Sequence, residues 1–276
     1  MKTRNSFTPP PLPTFIMYLF LVVAGVIAAF PFFWMILAAT NKSVEVVRGR
    51  FFFGFNTLEN WKTLTTTYTL HLSFGNSLRN ALIATLLSLF VCSLAGYGFQ
   101  IYRDKAKDRL MAILLLSMMV PFASIMVPLF RLFSQMKMLN TTMGIVLPGI
   151  ATAFLIFFFR QNSANFPMEI VQAARVDGLG EFGIYMRIYV PVMSSTFAAA
   201  AIIVFMGAWN NYLWPLIILL KKESQTMPIL LASMTQGYTT DYGMLMLGIS
   251  ICTIPTLLIF ITQQRRFVSG ILGSVK

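Results

Sequence analysis

Apolar residues fall along this chain in long runs that no Asp, Glu, Lys or Arg interrupts. Six runs stand out: Thr14–Ala39, Asn80–Tyr102, Leu110–Phe130, Thr141–Phe159, Phe197–Leu220 and Gly243–Thr262. About 20 helical residues cross the hydrocarbon core of a bilayer, so each run predicts a transmembrane helix. The first follows Lys2 and Arg4, as in a signal peptide. It is longer than the roughly 7–15 apolar residues of such a segment and is read as an uncleaved span. Pro9, Pro10, Pro11 and Pro13 predict a stiff, extended lead before it. Polar residues gather in three long connections, 40–79, 160–196 and 221–242. The first carries the aromatic anchors Phe51, Phe52, Phe53, Phe55 and Trp61, and the last carries Pro228 and Gly237. The expected fold class is all-α and polytopic, a single transmembrane domain over 1–276. No repeat of fixed period is present, which excludes a solenoid.

Composition agrees. Of the 276 residues, 57% are hydrophobic and 11% charged, against roughly 45–50% and about 25% in soluble domains. That excludes a disordered chain and argues against a water-soluble enzyme. The net charge of +12 raises nucleic-acid binding, which needs a dense, solvated basic surface. Here the basic residues sit in short groups between apolar runs, the pattern of loops flanking a bilayer. Six crossings put both termini on one side. With both termini cytoplasmic, twelve basic residues lie inside and nine outside. The compact segment Arg103–Arg109 is the clearest inward anchor.

Much chemistry is missing. Ionisable side chains inside spans mark the relays of proton-driven carriers, and the six runs have none, although sodium can be held by carbonyls and hydroxyls. No HExxH, GxSxG or phosphate-binding Gly-rich loop occurs, so no catalytic residue is assigned. Cys92 and Cys252 lie in apolar runs, and His71 has no companion at ligand spacing, so neither a disulfide nor a metal site is predicted. If the chain moves a solute uphill, another chain must supply the energy.

The informative stretch runs from Phe166 to Gly178 and on through Ile188-Tyr189-Val190-Pro191. Pro167 suits a first helical turn, Glu169 the positive end of the helix dipole, and Gly178 a left-handed helix end. Between them Ala173 and Ala174 let a helix approach a partner surface closely. Gln172-Ala173-Ala174, then Gly178, Ile188 and Pro191, resembles the EAA signature of binding-protein-dependent ABC importer permeases. Every spacing matches. Gln172 stands where that family has Glu, and Val190 where it has Leu.

The resemblance implies a six-helix permease of the MetI-like, type I importer fold, whose loop 160–196 docks on a separate ATPase. Glu169, Gln172, Ala173, Ala174, Asp177, Gly178, Ile188 and Pro191 would form that coupling element. Gly207-Ala208-Trp209-Asn210-Asn211-Tyr212 and the tail from Gln264 are similar to carbohydrate-uptake permeases, in particular the MalG-like second permease of maltose-type importers. That implies a sugar as cargo, a di- or oligosaccharide, and places Gly270, Gly273 and Lys276 of the tail at the ATPase. It implies a second homologous permease, two ATPase subunits that bind ATP and Mg, and an extracytoplasmic sugar-binding protein, all at a bacterial or archaeal inner membrane. No cofactor belongs to this chain. Trp209, Asn210 and Asn211 suit sugar contact by stacking and amide hydrogen bonds, and Trp209 and Trp214 suit an interfacial belt equally well. Ser88, Ser93, Ser117 and Ser124 suit either the translocation path or helix packing. Glycerol phosphate, peptide or metal-chelate cargo stays open, as does a sodium-coupled carrier working alone. The lack of cations in the spans leans toward a neutral solute.

Overall fold

The computed structural model describes residues 14–272, with side chains over 16–263. The predicted Pro-rich lead, Gly273 and Lys276 lie outside the described residues. Gly270 falls within the backbone of the last helix.

All described secondary structure is helical. The chain opens with α1 (Thr14–Ala39), α2 (Ser43–Val47), α3 (Thr57–Thr67) and the long α4 (Leu70–Ile101). Next come α5 (Lys105–Ser117), α6 (Phe122–Gln135), α7 (Thr142–Val146), α8 (Ala153–Asn162) and α9 (Met168–Val176). Then follow α10 (Glu181–Ile184), α11 (Val190–Val192), α12 (Ser194–Trp209), α13 (Leu213–Ile218), α14 (Met227–Ser233) and α15 (Tyr242–Leu272).

Among the described residues, three helices, α1, α4 and α15, are each long and apolar enough to cross a membrane, and the total reaches six if each of three bent helix pairs is one span. The bends are 95° between α5 and α6, 52° between 142–149 and 153–165, and 82° between 181–192 and α12. The apolar run Leu110–Phe130 is therefore two helices. Pro121 precedes α6, and proline disfavours helical conformation in the residue before it. The run Phe197–Leu220 breaks after Trp209 and resumes at Leu213. The run Asn80–Tyr102 is the later part of a helix that begins at Leu70.

By contacts the chain forms two compact units, one of residues up to Leu64 with Gly237–Ile251, the other of Thr65–Gln236 with the residues from Cys252 on. In the first, α1 leaves Phe20, Val22, Val26 and Ile27 exposed, as suits a helix whose solvent is lipid. Phe51 folds back so that its ring stacks on Phe30 at 6.1 Å and Trp34 at 5.8 Å. The turn after α1 is held by amides: Asn41 Nδ2 donates to Phe52 O (2.7 Å), and Asn60 Nδ2 donates to Ala39 O (2.9 Å) and Asn41 O (3.0 Å). A Cβ at Gly243 would lie 2.2 Å from Asn41 O, so only glycine lets α15 begin there.

In the second unit α4 is the spine, packed by α8 and α12. Its buried face carries small and weakly polar residues, among them Ser73, Ser77, Asn80, Ala81, Ser88, Cys92 and Gly96. Small side chains let helix backbones approach closely, and close packing is what holds helices together in lipid. At Gly96 the approach is tightest: a Cβ there would lie 2.5 Å from Phe159 Cβ and 3.0 Å from Arg160 N. Around that crossing Cys92, Met111, Leu155, Ile156, Phe159 and Ala200 form a buried cluster. Overpacking a filled site costs about 1–3 kcal/mol. We expect Gly96→Val to lower the stability of the purified protein by that amount, read by thermal unfolding in detergent, and Gly96→Ala to lower it less.

Candidate functional site

The loop 160–196 is an ordered structure built on the end of α8. A 3₁₀ turn, Ser163–Asn165, leads to Phe166, which is buried, and Pro167 then starts α9 in extended geometry. Along α9 the positions divide by helical spacing. Glu169, Gln172, Ala173 and Val176, at i, i+3, i+4 and i+7, are exposed on one face, with Ile170 exposed beside them. Val171 and Ala174 are buried on the other face. The two alanines therefore do different things: Ala173 keeps the outer face low, and Ala174 lets α9 press onto the core beneath.

The C-terminus of α9 closes as the sequence predicts from Gly178. Gly178 has φ +83°, the left-handed region that favours glycine. Its N–H donates to Arg175 O (3.1 Å), and Leu179 N–H donates to Ala174 O (3.0 Å). This pair of bonds is a Schellman closure, with Leu179 packed against the core. α10 then continues as a π-helical turn, Tyr185–Tyr189, into α11. Ile188 of that turn is half-buried against the core, while Pro191 is exposed in α11.

Beneath α9 lies a cluster of aromatic rings and hydroxyls. Tyr97 of α4 meets Tyr185 and Tyr189 edge-on, with ring centroids 5.6 and 4.9 Å apart. Tyr185 Oη lies 2.6 Å from Ser93 Oγ, and Tyr189 Oη lies 2.6 Å from Ser163 Oγ. Each buried hydroxyl thereby finds a partner, as burial demands. At the rim, Arg175 Nε donates to Glu181 Oε1 (2.7 Å), and the guanidinium sits 5.6 Å from the centroid of the Tyr102 ring. Glu181 is the exposed first residue of α10, and Arg175 holds its carboxyl below the usual glutamate range. Asp108 of α5 accepts from Arg103 (3.2 Å) and pairs with Arg160 at the end of α8. The segment 103–109 is thus the capped start of a helix, with Asp104 accepting from Lys107 N at 2.8 Å.

The sequence-derived residues divide accordingly. Glu169, Gln172, Ala173 and Asp177 are exposed; Ala174 and Ile188 support from below; Gly178 makes the turn. The exposed apolar side chains Ile170, Val176 and Phe182 were not singled out by the motif. Neither were the paired tyrosines, whose only sequence signal is the i, i+4 spacing of Tyr185 and Tyr189. Ser93 Oγ lies within hydrogen-bond distance of Tyr185 Oη, and Ser117 Oγ donates to Leu114 O.

The fifth apolar run behaves differently from its two readings. Trp209 is buried and donates Nε1–H to Cys252 O (3.1 Å); Trp214 is buried and donates to Gly144 O (2.9 Å). Both indoles are core groups, available neither to a sugar nor to an interfacial belt. Asn210 is exposed and bonds back to Met206 O (2.9 Å), and Asn211 borders a cavity of about 250 Å³ walled by α4, α7, α8 and α12.

Among the described residues the structure is helical throughout, with several helices apolar enough to cross a membrane and α9 buried on one face and exposed on the other. The chain belongs to the family of binding-protein-dependent transport system inner membrane components, which it matches over residues 88–272. It is 47% identical to the lactose transport system permease protein LacG of Rhizobium radiobacter, over 96% of this chain and 97% of that one. It is 34% identical to the arabinooligosaccharides transport system permease protein AraQ of Halalkalibacterium halodurans, over 100% of both. Its fold is similar to a chain of a bacterial ABC transporter involved in the import of the acidic polysaccharide alginate, with TM-score 0.80 and 18% identity, over 94% of this chain and 100% of that one. The chain is therefore a permease subunit, not an enzyme, and works with an ATPase and a solute-binding protein. Family membership also sets aside a carrier working alone.

A buried hydroxyl pair contributes about 1 kcal/mol, and groups that share one interaction are not additive. We expect Tyr185→Phe and Ser93→Ala each to destabilise the protein by about that much, and the double variant by less than their sum. Thermal unfolding of the four proteins gives the coupling directly.

Proposed function

We propose that this chain is one of two homologous permeases in an ATP-driven importer of a neutral di- or oligosaccharide. It stands in the inner membrane with both termini and loop 160–196 in the cytoplasm. Two ATPase subunits bind ATP and Mg, and a sugar-binding protein delivers the cargo from the other side. The cargo assignment is supported by relatives named for lactose and arabinooligosaccharide transport and by six apolar runs that carry no cationic side chain.

The observation that carries the coupling role is the two-faced helix α9. Glu169, Gln172, Ala173 and Val176 face out, Val171 and Ala174 are sealed onto the Tyr97–Tyr185–Tyr189 cluster, and Phe182 adds an exposed ring nearby. Exposed Ile170, Val176 and Phe182 next to carboxylates give a surface with an apolar centre and a polar rim, which suits a protein partner. ATP-driven closure of the ATPase pair would carry α9 with it and swing the helices packed on its inner face.

The test is uptake into proteoliposomes holding this permease, its partner permease and the ATPases, with binding protein and ATP supplied. Ala173→Glu puts a charge on the outer face without touching the core, and should abolish sugar uptake while membrane insertion and thermal stability stay as in the parent. Gly178→Pro forbids φ +83° and removes the N–H bonded to Arg175 O, and should also abolish uptake. Normal uptake by the first variant would refute the docking face.

A further inference from the structure

Three ion pairs of the second unit are local. Lys107 pairs with Asp104, Arg103 with Asp108 and Arg175 with Glu181, each within six positions along the chain. The pair of Arg160 with Asp108 is different. It joins residues 52 positions apart, the last turn of α8 to the first turn of α5. The Arg160 side chain is 14% exposed, against 36–59% for the other members of these pairs. Exposed pairs contribute little, and a covered one is screened less. Each partner also stands at the helix end where the dipole favours its charge.

The place of Arg160 gives the pair its meaning. It lies three residues before Ser163, whose hydroxyl meets Tyr189 Oη at 2.6 Å, so it stands at the root of the loop that carries α9. Its backbone is pressed against α4, where a Cβ on Gly96 would lie 3.0 Å from Arg160 N. Its side chain then reaches a third helix, α5. Otherwise α5 meets this unit by apolar contact: Met111 is buried with Cys92, Leu155, Ile156 and Phe159, and Leu115 packs beside them. The side with Ile113 and Leu116 is exposed. Apolar contact is non-directional and leaves a helix free to slide or roll on its neighbour. A charge-assisted hydrogen bond has a direction, so the Arg160–Asp108 pair sets the register of α5 on α8. Arg103 Nε, 3.2 and 3.3 Å from the two carboxylate oxygens, steadies Asp108 as well. Past Ser117 the chain bends by 95° into α6, so whatever moves α5 moves the start of α6.

We infer that Asp108 is a positioning residue of the transport cycle: through Arg160 it ties α5 to the root of the docking loop, so that α5 follows when α9 is moved. The inference rests on the coupling role proposed above for α9. With the pair intact, displacement of α9 and the end of α8 reaches α5, and α6 beyond the bend. Without the charge on Asp108, Met111 still seals α5 against α8, but the end of α8 slips past it. The ATPases then turn over while α5 lags. The fold is kept and the coupling is lost.

The experiment uses the complete transporter in proteoliposomes with binding protein and ATP, and measures uptake of labelled lactose and ATP hydrolysis in the same preparation. Asp108→Asn keeps the size of the side chain and removes its charge. Uptake should fall about fivefold while ATP hydrolysis stays near the parent's, so that ATP consumed per lactose rises by a similar factor, the scale on which residues along a coupling route act. Arg160→Gln should do the same. The double variant should be no worse than either single one, since all three break the same link. Arg160→Lys, which keeps the charge, should recover most of the coupling. Lys107→Gln removes a local pair on the same turn and should leave the ratio as in the parent. Uptake and hydrolysis falling together, with lower thermal stability in detergent, would make the pair a brace for the fold alone and overturn the inference. An unchanged ratio in both Asp108→Asn and Arg160→Gln would overturn it as well. Ala173→Glu, run alongside, separates the two readings. Uptake lost there, with a parental ratio in Asp108→Asn, removes the positioning role and leaves the docking face standing; normal uptake there removes both.

Discussion

A bilayer interior offers no hydrogen bonds, so every place where a helix stops short inside it must be repaired by the protein itself. Buried helix ends anywhere in the fold make a similar demand, and several side chains of the larger unit meet it. Where α13 ends, Asn140, in left-handed geometry at φ 59°, accepts from Leu220 N (2.7 Å) and Lys221 N (2.9 Å), and its own N–H donates to Ile218 O (3.1 Å). Asparagine is among the few residues that occupy this region readily. Where α14 begins, Ser77 Oγ accepts from Met227 N (2.7 Å). Trp214 reaches Gly144 O and Trp209 reaches Cys252 O. Polar residues of this unit thus serve first of all to close open backbone groups.

The same accounting gives the loop 160–196 its stiffness. Phe166, Val171, Ala174, Ile184, Tyr185 and Tyr189 pack as one core with Tyr97 and Ile101 of α4, and two hydroxyl pairs pin that core to Ser93 of α4 and Ser163 below α8. Packed interiors resist graded deformation. A force on the outer face of α9 is therefore delivered to α4 as movement of a block, not absorbed by a flexible loop.

Charge-free runs and the spacing from Gln172 to Pro191 were enough to read the class of fold and the family. They could not show where a run breaks. A count of ionised residues treats Pro121 and the Asn210–Asn211 pair as neutral, yet the structure turns at both. The motif named Ala173 and Ala174 together, and only the helical phase around Val171 separates the outward residue from the inward one. Trp209 and Trp214 looked like surface chemistry because tryptophan favours membrane interfaces. What decides them is an acceptor elsewhere in the chain, Cys252 O or Gly144 O, which no local pattern encodes.

The departure of Gln172 from the family carboxylate is also easier to weigh on the folded chain. Its side chain is exposed on the outer face of α9, so replacing a carboxylate there with an amide leaves no internal charge unpaired and costs the permease nothing by itself. The consequence falls on the interface. Glu169, one turn earlier on the same face, and Asp177, at the end of the helix, remain exposed carboxylates. Arg175 is already engaged with Glu181, and its guanidinium lies against Tyr102, so it does not cancel them. The outer face of α9 therefore keeps two exposed carboxylates, and in the proposed docking a basic group on the partner would pair with either through a shifted contact. Electrostatic complementarity of this kind governs which partner is chosen and how fast it docks more than how tightly it holds, so in the proposed docking the substitution would bear on which ATPase this permease accepts.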